Sequence, residues 1–330
     1  MPLPYPLIIC YLNTSLAWIS NGLLIFLILR NSPRSMANYK YLMLIFSIFG
    51  VIFGIIDISN QPMLHFYQGS YIIFSRNPLG LPKKVSFWFI ALNCSCYGMT
   101  LSLLSFHFIY RYFAVCRPHL LFLFSFPYFN IFIITFIIIN LEWWIAAILM
   151  ASESEFTDEY IRETMLRTFG LTKQDYTYAA SVFYRTDNDN DGSEHLSLWD
   201  FGFVLNISVI ITLGFSIILF CWLNLRYRLI QSARHHQNFS QKTLDMQRQL
   251  FNSLISQTIL PIFLMFIPAA ILLIFPLFKI EPGHSEGLIL SLITTQPFMD
   301  ALVPMYFIRD YRLAILRGNW VGFKAMIMMK

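Results

Sequence analysis

The sequence predicts an all-α membrane protein, a bundle of seven transmembrane helices with its N-terminus outside and its C-terminus in the cytosol. Three observations predict it. Hydrophobic residues make up 57% of the 330-residue chain and charged residues only 12%, about half the charge that coats a soluble domain. The apolar residues fall into seven blocks, each near the ~20 residues that cross a bilayer core as a helix. Segments 30–40, 111–127, 224–251 and 309–330 hold 15 of the 23 lysines and arginines against two acids, Asp245 and Asp310. The positive-inside rule puts these four segments in the cytosol. A soluble two-domain enzyme is excluded by the composition. Nucleic-acid binding is excluded by a net charge of only +5 with no continuous basic tract.

The blocks follow in order at about 7–29, 41–64, 87–110, 128–150, 199–223, 252–278 and 287–308. Each is expected to be a helix, because backbone groups in lipid must be satisfied within the segment. The first lacks the basic start of a cleaved signal peptide, so it is expected to stay as a helix. Polar residues inside the blocks are costly in lipid and usually face the bundle interior. In the third block Asn93, Tyr97, Thr100, Leu104, His107 and Arg111 recur at i, i+4, i+7, i+11, i+14 and i+18, one helical face along the whole membrane. Its outer part suits a ligand and its inner part ends in Arg111; interhelical hydrogen bonding is the plainer reading of the same face. Three acids are intramembrane: Asp57 in the outer third of the second block, Glu142 in the fourth and Asp300 near the inner end of the seventh. Asn21, Ser47 and Asp300 lie at similar depth and are expected to form a polar cluster, either glue or a switch. Pro261 and Pro268 interrupt the sixth block and Pro297 and Pro304 the seventh; each removes a backbone donor and favours a kink.

The long loop 151–198 carries ten acids against four bases. Ser152 followed by Glu155 spells a capping box. Phe156, Tyr160, Met165 and Phe169 then recur at near-helical spacing, and Gly170 suits the stop. A short amphipathic helix over the bundle mouth is expected, read either as a lid on a ligand pocket or as a cap that shields helix ends. Asp187, Asp189, Asp191 and Gly192 imitate the first half of a calcium loop, but Leu198 stands where the bidentate Glu is required. That stretch is read as a solvated acidic turn, and neither a metal nor a cofactor is expected. The loop holds no cysteine, so no disulfide ties it to the third helix. The seven histidines make no HxxxH or HExxH box and no GxGD accompanies the acids, so an intramembrane enzyme is not expected and no catalytic residues are assigned.

Four runs then carry a specific resemblance: 39–49 (YKYLMLIFSIF), 105–118 (SFHFIYRYFAVCRP), 247–261 (QRQLFNSLISQTILP) and 296–316 (QPFMDALVPMYFIRDYRLAIL). In this order, over about residues 5–317, the chain resembles the Str family of nematode seven-transmembrane chemoreceptors. The resemblance implies a G-protein-coupled chemosensory receptor for odorants or other small molecules, multi-pass in the plasma membrane and sited in the cilia of sensory neurons. Tyr110-Arg111-Tyr112 sits where rhodopsin-like receptors keep Asp/Glu-Arg-Tyr; the acid is missing here, so an acid–arginine lock at that place is not implied. The seventh helix resembles the family's Pro-x-x-Asp-Pro pattern, but Ala301 follows Asp300.

The expected domains are a receptor bundle over 1–308, with its outer loop 151–198 and third cytosolic loop 224–251, and a cytosolic tail over 309–330. A short amphipathic helix along the membrane lipids is expected from Tyr311 to Trp320. Agonist in an outer pocket is expected to move helix six outward and open a basic cleft to a heterotrimeric G protein. The candidate ligand residues are Asp57, Asn93, Tyr97, Thr100, Asn206 and Thr295. The candidate switch residues are Asn21, Ser47, Asp300, Pro261, Pro268 and Pro304. The candidate G-protein contacts are Arg111, Tyr112, Arg226, Arg228, Arg248 and Arg312. The alternative is a ligand-gated ion channel or a transporter of seven-helix architecture; no internal repeat supports a transporter.

Overall fold

In a computed structural model, which describes residues 5–32, 36, 38–186, 194–235 and 241–316, helices form where the apolar blocks lie. Among the described residues seven helices are long and apolar enough to cross a membrane. They are α1 (Tyr5–Asn31), α2 (Tyr39–Asn60), α3 (Lys83–Cys116), α4 (Phe129–Met150), α6 (Leu198–His235), the sixth spanning helix, and α9 (Glu286–Phe307). The sixth is built of α7 (Gln241–Pro261), a π-helical turn (Ile262–Phe266) and α8 (Ile267–Leu277). The turn starts directly after Pro261, whose missing N–H breaks the regular ladder. α3 is the central helix: 67% of its apolar window is buried, against 22% for α4 and 17% for α6. A last helix, α10 (Arg309–Leu316), turns off after Ile308. Its buried Tyr311 donates to or accepts from Ser32 at 2.7 Å, which fixes α10 under the end of α1. The rest of the expected amphipathic helix, 317–320, lies outside the described residues.

The end of the bundle away from α10 is closed by a cap, and here the structure corrects the expectation. The apolar block 41–64 predicts helix to residue 64. Its helix stops at Asn60, with Gln61 in the left-handed region at φ 47°. The chain then forms β1 (Met63–Tyr67) and β2 (Ser70–Ser75), and β3 (Thr177–Val182) from the long loop joins them. The sheet is antiparallel in the order β1-β2-β3, with Leu64 opposite Ile73 and Ile73 opposite Ala179. One face packs Ile72, Phe74, Tyr178 and Ala180 against Ile161 and Met165 of α5 (Glu155–Phe169). The other packs Leu64, Phe66 and Tyr71 against Met265, Leu272 and Ile289 of the bundle. Burial on both faces erases the alternation by which a strand is read from sequence. The amphipathic helix therefore lies on the sheet, and the sheet lies on the bundle mouth.

α5 is capped by Ser154, whose Oγ accepts from Thr157 N at 3.1 Å, and not by the expected Ser152–Glu155 box. Gly170 ends it at φ 66°, a left-handed position that an L side chain resists. Lys173 binds Asp158 at 2.5 Å across the cap. Asp200, at the start of α6, accepts from Arg185 Nη2 at 2.9 Å, from Ser197 Oγ at 2.5 Å and from Val182 N at 3.2 Å, tying cap to helix. β4 (Tyr184–Thr186) and β5 (Glu194–Leu196) pair beyond it. The acidic turn of Asp187, Asp189, Asp191 and Gly192 lies outside the described residues. All five cysteines carry free thiols, so the cap is held without covalent links.

Candidate functional site

Beneath the cap sheet, the bundle encloses a chamber of about 110 Å³. Leu64, Tyr71, Ile73 and Ala179 of the sheet roof it; Asn93 and Tyr97 of α3, Trp143 and Ala147 of α4, and Phe203 and Ile207 of α6 wall it. The sixth spanning helix contributes Met265 and Phe266 of its π turn and Ala269 of α8, and α9 contributes Leu290 and Ile293. The lining is hydrocarbon apart from the Asn93 amide, the Tyr71 and Tyr97 hydroxyls, the Trp143 indole and the Cys94 thiol. Asn93 Nδ2 donates to Asp57 Oδ1 at 3.2 Å, and Cys10 Sγ donates to Asp57 Oδ2 at 3.3 Å. Asp57 thus stands behind Asn93 and orients it without lining the chamber. The Tyr97 ring packs edge-on to Phe53 at 5.7 Å, and its hydroxyl has no hydrogen-bond partner among the described residues.

The other expected ligand residues are placed elsewhere. Thr100 donates to Cys96 O of its own helix at 3.1 Å and lines a smaller cavity deeper in the bundle. Thr295 accepts from Asn13 Nδ2 at 2.9 Å, joining α1 to α9. Asn206 donates to Glu142 at 2.6 Å on the exposed side of α4 and α6, so this acid does not face the bundle interior.

Only part of the expected polar cluster assembles. Asn21 and Asp300 share the smaller cavity of about 10 Å³, whereas Ser47 donates to Met43 O of its own helix at 3.0 Å. Asn21 Nδ2 donates to Pro297 O at 3.0 Å, and Gln296 Nε2 to Asp300 Oδ2 at 2.5 Å. Pro304 has no N–H to donate to Asp300 O, four residues back. Gln257 Nε2 of α7 approaches that carbonyl at 3.3 Å, so the sixth helix fills the vacancy that a proline of the seventh creates. Pro268 opens α8 as its second residue and is buried.

At the opposite end Arg111 is buried, 4% exposed, and does not reach the surface. Its guanidinium lies 4.0 Å over the Tyr39 ring, and Nη1 donates to Gln247 Oε1 of α7 at 2.8 Å. Gln249, two residues on, accepts from Arg309 N of α10 at 3.1 Å. Tyr112 packs on Phe220 of α6 at 5.6 Å, Arg228 donates to Gln231 at 3.1 Å, and Arg312 donates to Tyr306 O at 3.3 Å. Arg226 and Arg248 stand on either side of an open groove between α6 and α7.

The sequence profile of serpentine type 7TM GPCR chemoreceptors of the Str class matches residues 7–316. The chain belongs to the Str family of serpentine receptors. Among its relatives is serpentine receptor class r-10 of Caenorhabditis elegans, 25% identical over 87% of this chain and 83% of that protein. The Caenorhabditis briggsae protein of the same name is 26% identical over 92% and 87%. The C. elegans G-protein coupled receptor str-33 is 25% identical over 91% and 86%. Squid rhodopsin shares the fold, with a TM-score of 0.60 over 96% of this chain and 85% of its own at 12% identity. This Str receptor is therefore a multi-pass membrane protein and a GPCR-type chemoreceptor, not an enzyme.

Sequence reasoning missed Gln247, Gln249, Gln257 and Gln296 of the receptor. Two of them, Gln257 and Gln296, lie within apolar blocks, and an amide costly to place in lipid was the signal that marked them. Cys10 and Asn13 were missed because nothing local to α1 says that their partners are Asp57, 47 residues on, and Thr294 and Thr295 of the last helix.

Proposed function

We propose that this receptor binds a small, neutral, mainly apolar molecule in the 110 Å³ chamber and passes the signal to a heterotrimeric G protein through the sixth helix. One observation carries the reading: that helix lines the chamber with Met265 and Phe266 and reaches Arg111 with Gln247. A cavity of about 150 Å³ takes benzene, so this one suits a molecule of about four to six heavy atoms. Tyr97 offers the donor for an acceptor atom on it, with Asn93 as second polar contact. Asp57 sets the direction of Asn93, and Thr100, Thr295 and Asn206 serve helix packing.

A ligand that presses on Phe266 and Met265 tilts α7 about the π turn. The bonds Gln247–Arg111, Gln249–Arg309 and Gln257–Asp300 then open together. A charge-assisted bond is worth about 1.5–3 kcal/mol and a neutral one about 1. The three together hold the closed state by about 3.5–5 kcal/mol, so a ligand that shifts the balance favours the open state by about that much, roughly 400- to 5,000-fold in affinity. Arg111, uncovered, then meets the G protein, with Tyr112, Arg228 and Arg312 at the rim. On this reading Asn21, Asp300 and Pro304 form the hinge side of the switch, and the capped end faces outside at the plasma membrane, in the cilium of a sensory neuron.

The test is a screen of small volatile ketones, aldehydes, alcohols and esters on cells expressing the receptor, read by calcium or cAMP. Ala269→Leu, which fills the chamber, is expected to abolish responses with normal surface expression. Arg111→Ala is expected to keep ligand binding and lose G-protein activation. Normal signalling by Arg111→Ala sinks the G-protein role, and a ligand-gated current that persists without G protein supports a channel instead.

A further inference from the structure

The groove between α6 and α7 at the α10 end has a volume of about 580 Å³. Arg226, Trp222 and Ile230 line it from α6, and Arg248, Phe251 and Ile255 from α7. Its lining contains two cations and no acid. Arg226 lies over the Trp222 ring at 5.5 Å and makes no ion pair among the described residues. Arg248 approaches Asp245 only at 4.0 Å, a solvent-exposed i,i+3 contact that holds neither side chain firmly. Two guanidinium groups, one stacked on an indole and the other in a long exposed ion pair, thus stand beside a hydrocarbon wall.

Exposed hydrocarbon surrounds the groove. Leu219, Leu223, Ile230 and Ile259 around it are exposed hydrocarbon on helices long and apolar enough to span a bilayer. Arg226 lies three residues past the end of the apolar block 199–223, the depth at which lipid headgroups begin.

We infer that this groove binds an anionic phospholipid, its phosphate held by Arg226 and Arg248 and one acyl chain laid along Phe251, Ile255 and Trp222. Guanidinium groups suit a phosphate because planar N–H donors match its oxygens. The lining itself holds two cations and no acid, and the exposed carboxylate nearby, Asp245, leaves the groove net positive, so a headgroup of net negative charge is attracted more strongly than a zwitterionic one. The exposed hydrocarbon of Leu219, Leu223, Ile230 and Ile259 around the groove suits an acyl chain better than the solvated face of a protein partner. The inference rests on the reading that the α10 end is the cytosolic end, where anionic lipids concentrate.

The test uses the full-length receptor in nanodiscs containing phosphatidylserine with a photoactivatable acyl chain, or the equivalent phosphatidylcholine, with labelled peptides mapped by mass spectrometry. Peptides spanning 222–255 are expected to be labelled by phosphatidylserine about tenfold more than by phosphatidylcholine. The double variant Arg226→Gln, Arg248→Gln is expected to reduce the label to the phosphatidylcholine level, and Arg228→Gln to leave it unchanged. If the double variant does not fold, Ile255→Trp, which fills the hydrocarbon side, is expected to give the same loss. Equal labelling by the two lipids, or label that survives both changes, overturns the inference. So does a double variant that keeps its label but loses G-protein activation, which gives the groove to a protein. Tag accessibility on intact cells tests the orientation separately. Nanodiscs expose both leaflets, so a reversed orientation leaves the labelling result standing on its own.

Discussion

A guanidinium buried in a helix bundle needs partners, and the described partners of Arg111 are neutral: the Gln247 amide and the face of Tyr39. Removing the amide leaves the charge less well held and frees α7. Gln247→Leu is expected to raise ligand-independent signalling about tenfold, the equivalent of one charge-assisted hydrogen bond, measured as basal cAMP or calcium per surface receptor. An unchanged basal level would show that this contact does not hold the closed state. Gly98 on α3 is the other residue where one atom decides. A Cβ there would stand 2.5 Å from Trp143 Cε3 of α4, and an indole has little room to yield. Gly98→Ala is expected to cost about 1–3 kcal/mol, seen as a lower melting temperature of the purified receptor. Adding Trp143→Leu is expected to recover part of it.

At the scale of elements, the turn after α5 has a pH dependence of known sign. Thr172 Oγ1 and N donate to Asp175 Oδ2 at 2.6 and 2.7 Å and hold that carboxyl below the ordinary carboxylate range. The folded value lies below the unfolded one, so the stabilisation is present above the ordinary aspartate pKa and fades as pH falls through the lowered one. The protection of residues 171–176 against hydrogen exchange, taken relative to the intrinsic rate at each pH, is expected to fall in acid, and Asp175→Asn to remove that dependence. Exchange with the same acid response in both proteins would exclude Asp175 as its source.

The elements also show what a sequence carries. The seven helices were legible because each needs only length and apolarity. The face from Asn93 to Arg111 was legible because helical spacing is local; His107 and Arg111 are indeed both buried. The cap sheet was not legible: β1 was hidden in the tail of an apolar block, and β2 is buried on both faces. For the candidate site, spacing put Asn93 and Tyr97 on one face, but nothing local pairs Arg111 with Gln247, 136 residues away. The Ser47 hydroxyl shows the limit of depth matching, since a serine in a helix can donate to its own backbone four residues back.

At the scale of the whole molecule, the charge is polarised. The four segments 30–40, 111–127, 224–251 and 309–330 carry a net +13, against +5 for the chain. An N-terminal tag is expected to stain on intact cells and a C-terminal tag only after permeabilisation. The reverse pattern would place the basic end outside and remove the G-protein reading with it.

The cap is made of pieces far apart in the chain. β2 at Ser70–Ser75 waits for β3 at Thr177–Val182, and α3, α4 and α5 are synthesised in between. A nascent chain therefore leaves the ribosome with an open hairpin whose second strand has a bare edge, and that edge pairs only after about half of the protein exists. The roof of the chamber is therefore complete before α6, the sixth spanning helix and α9, which supply its remaining walls, have been made, and until β3 joins the chain carries an unpaired strand edge, a surface that invites wrong pairing.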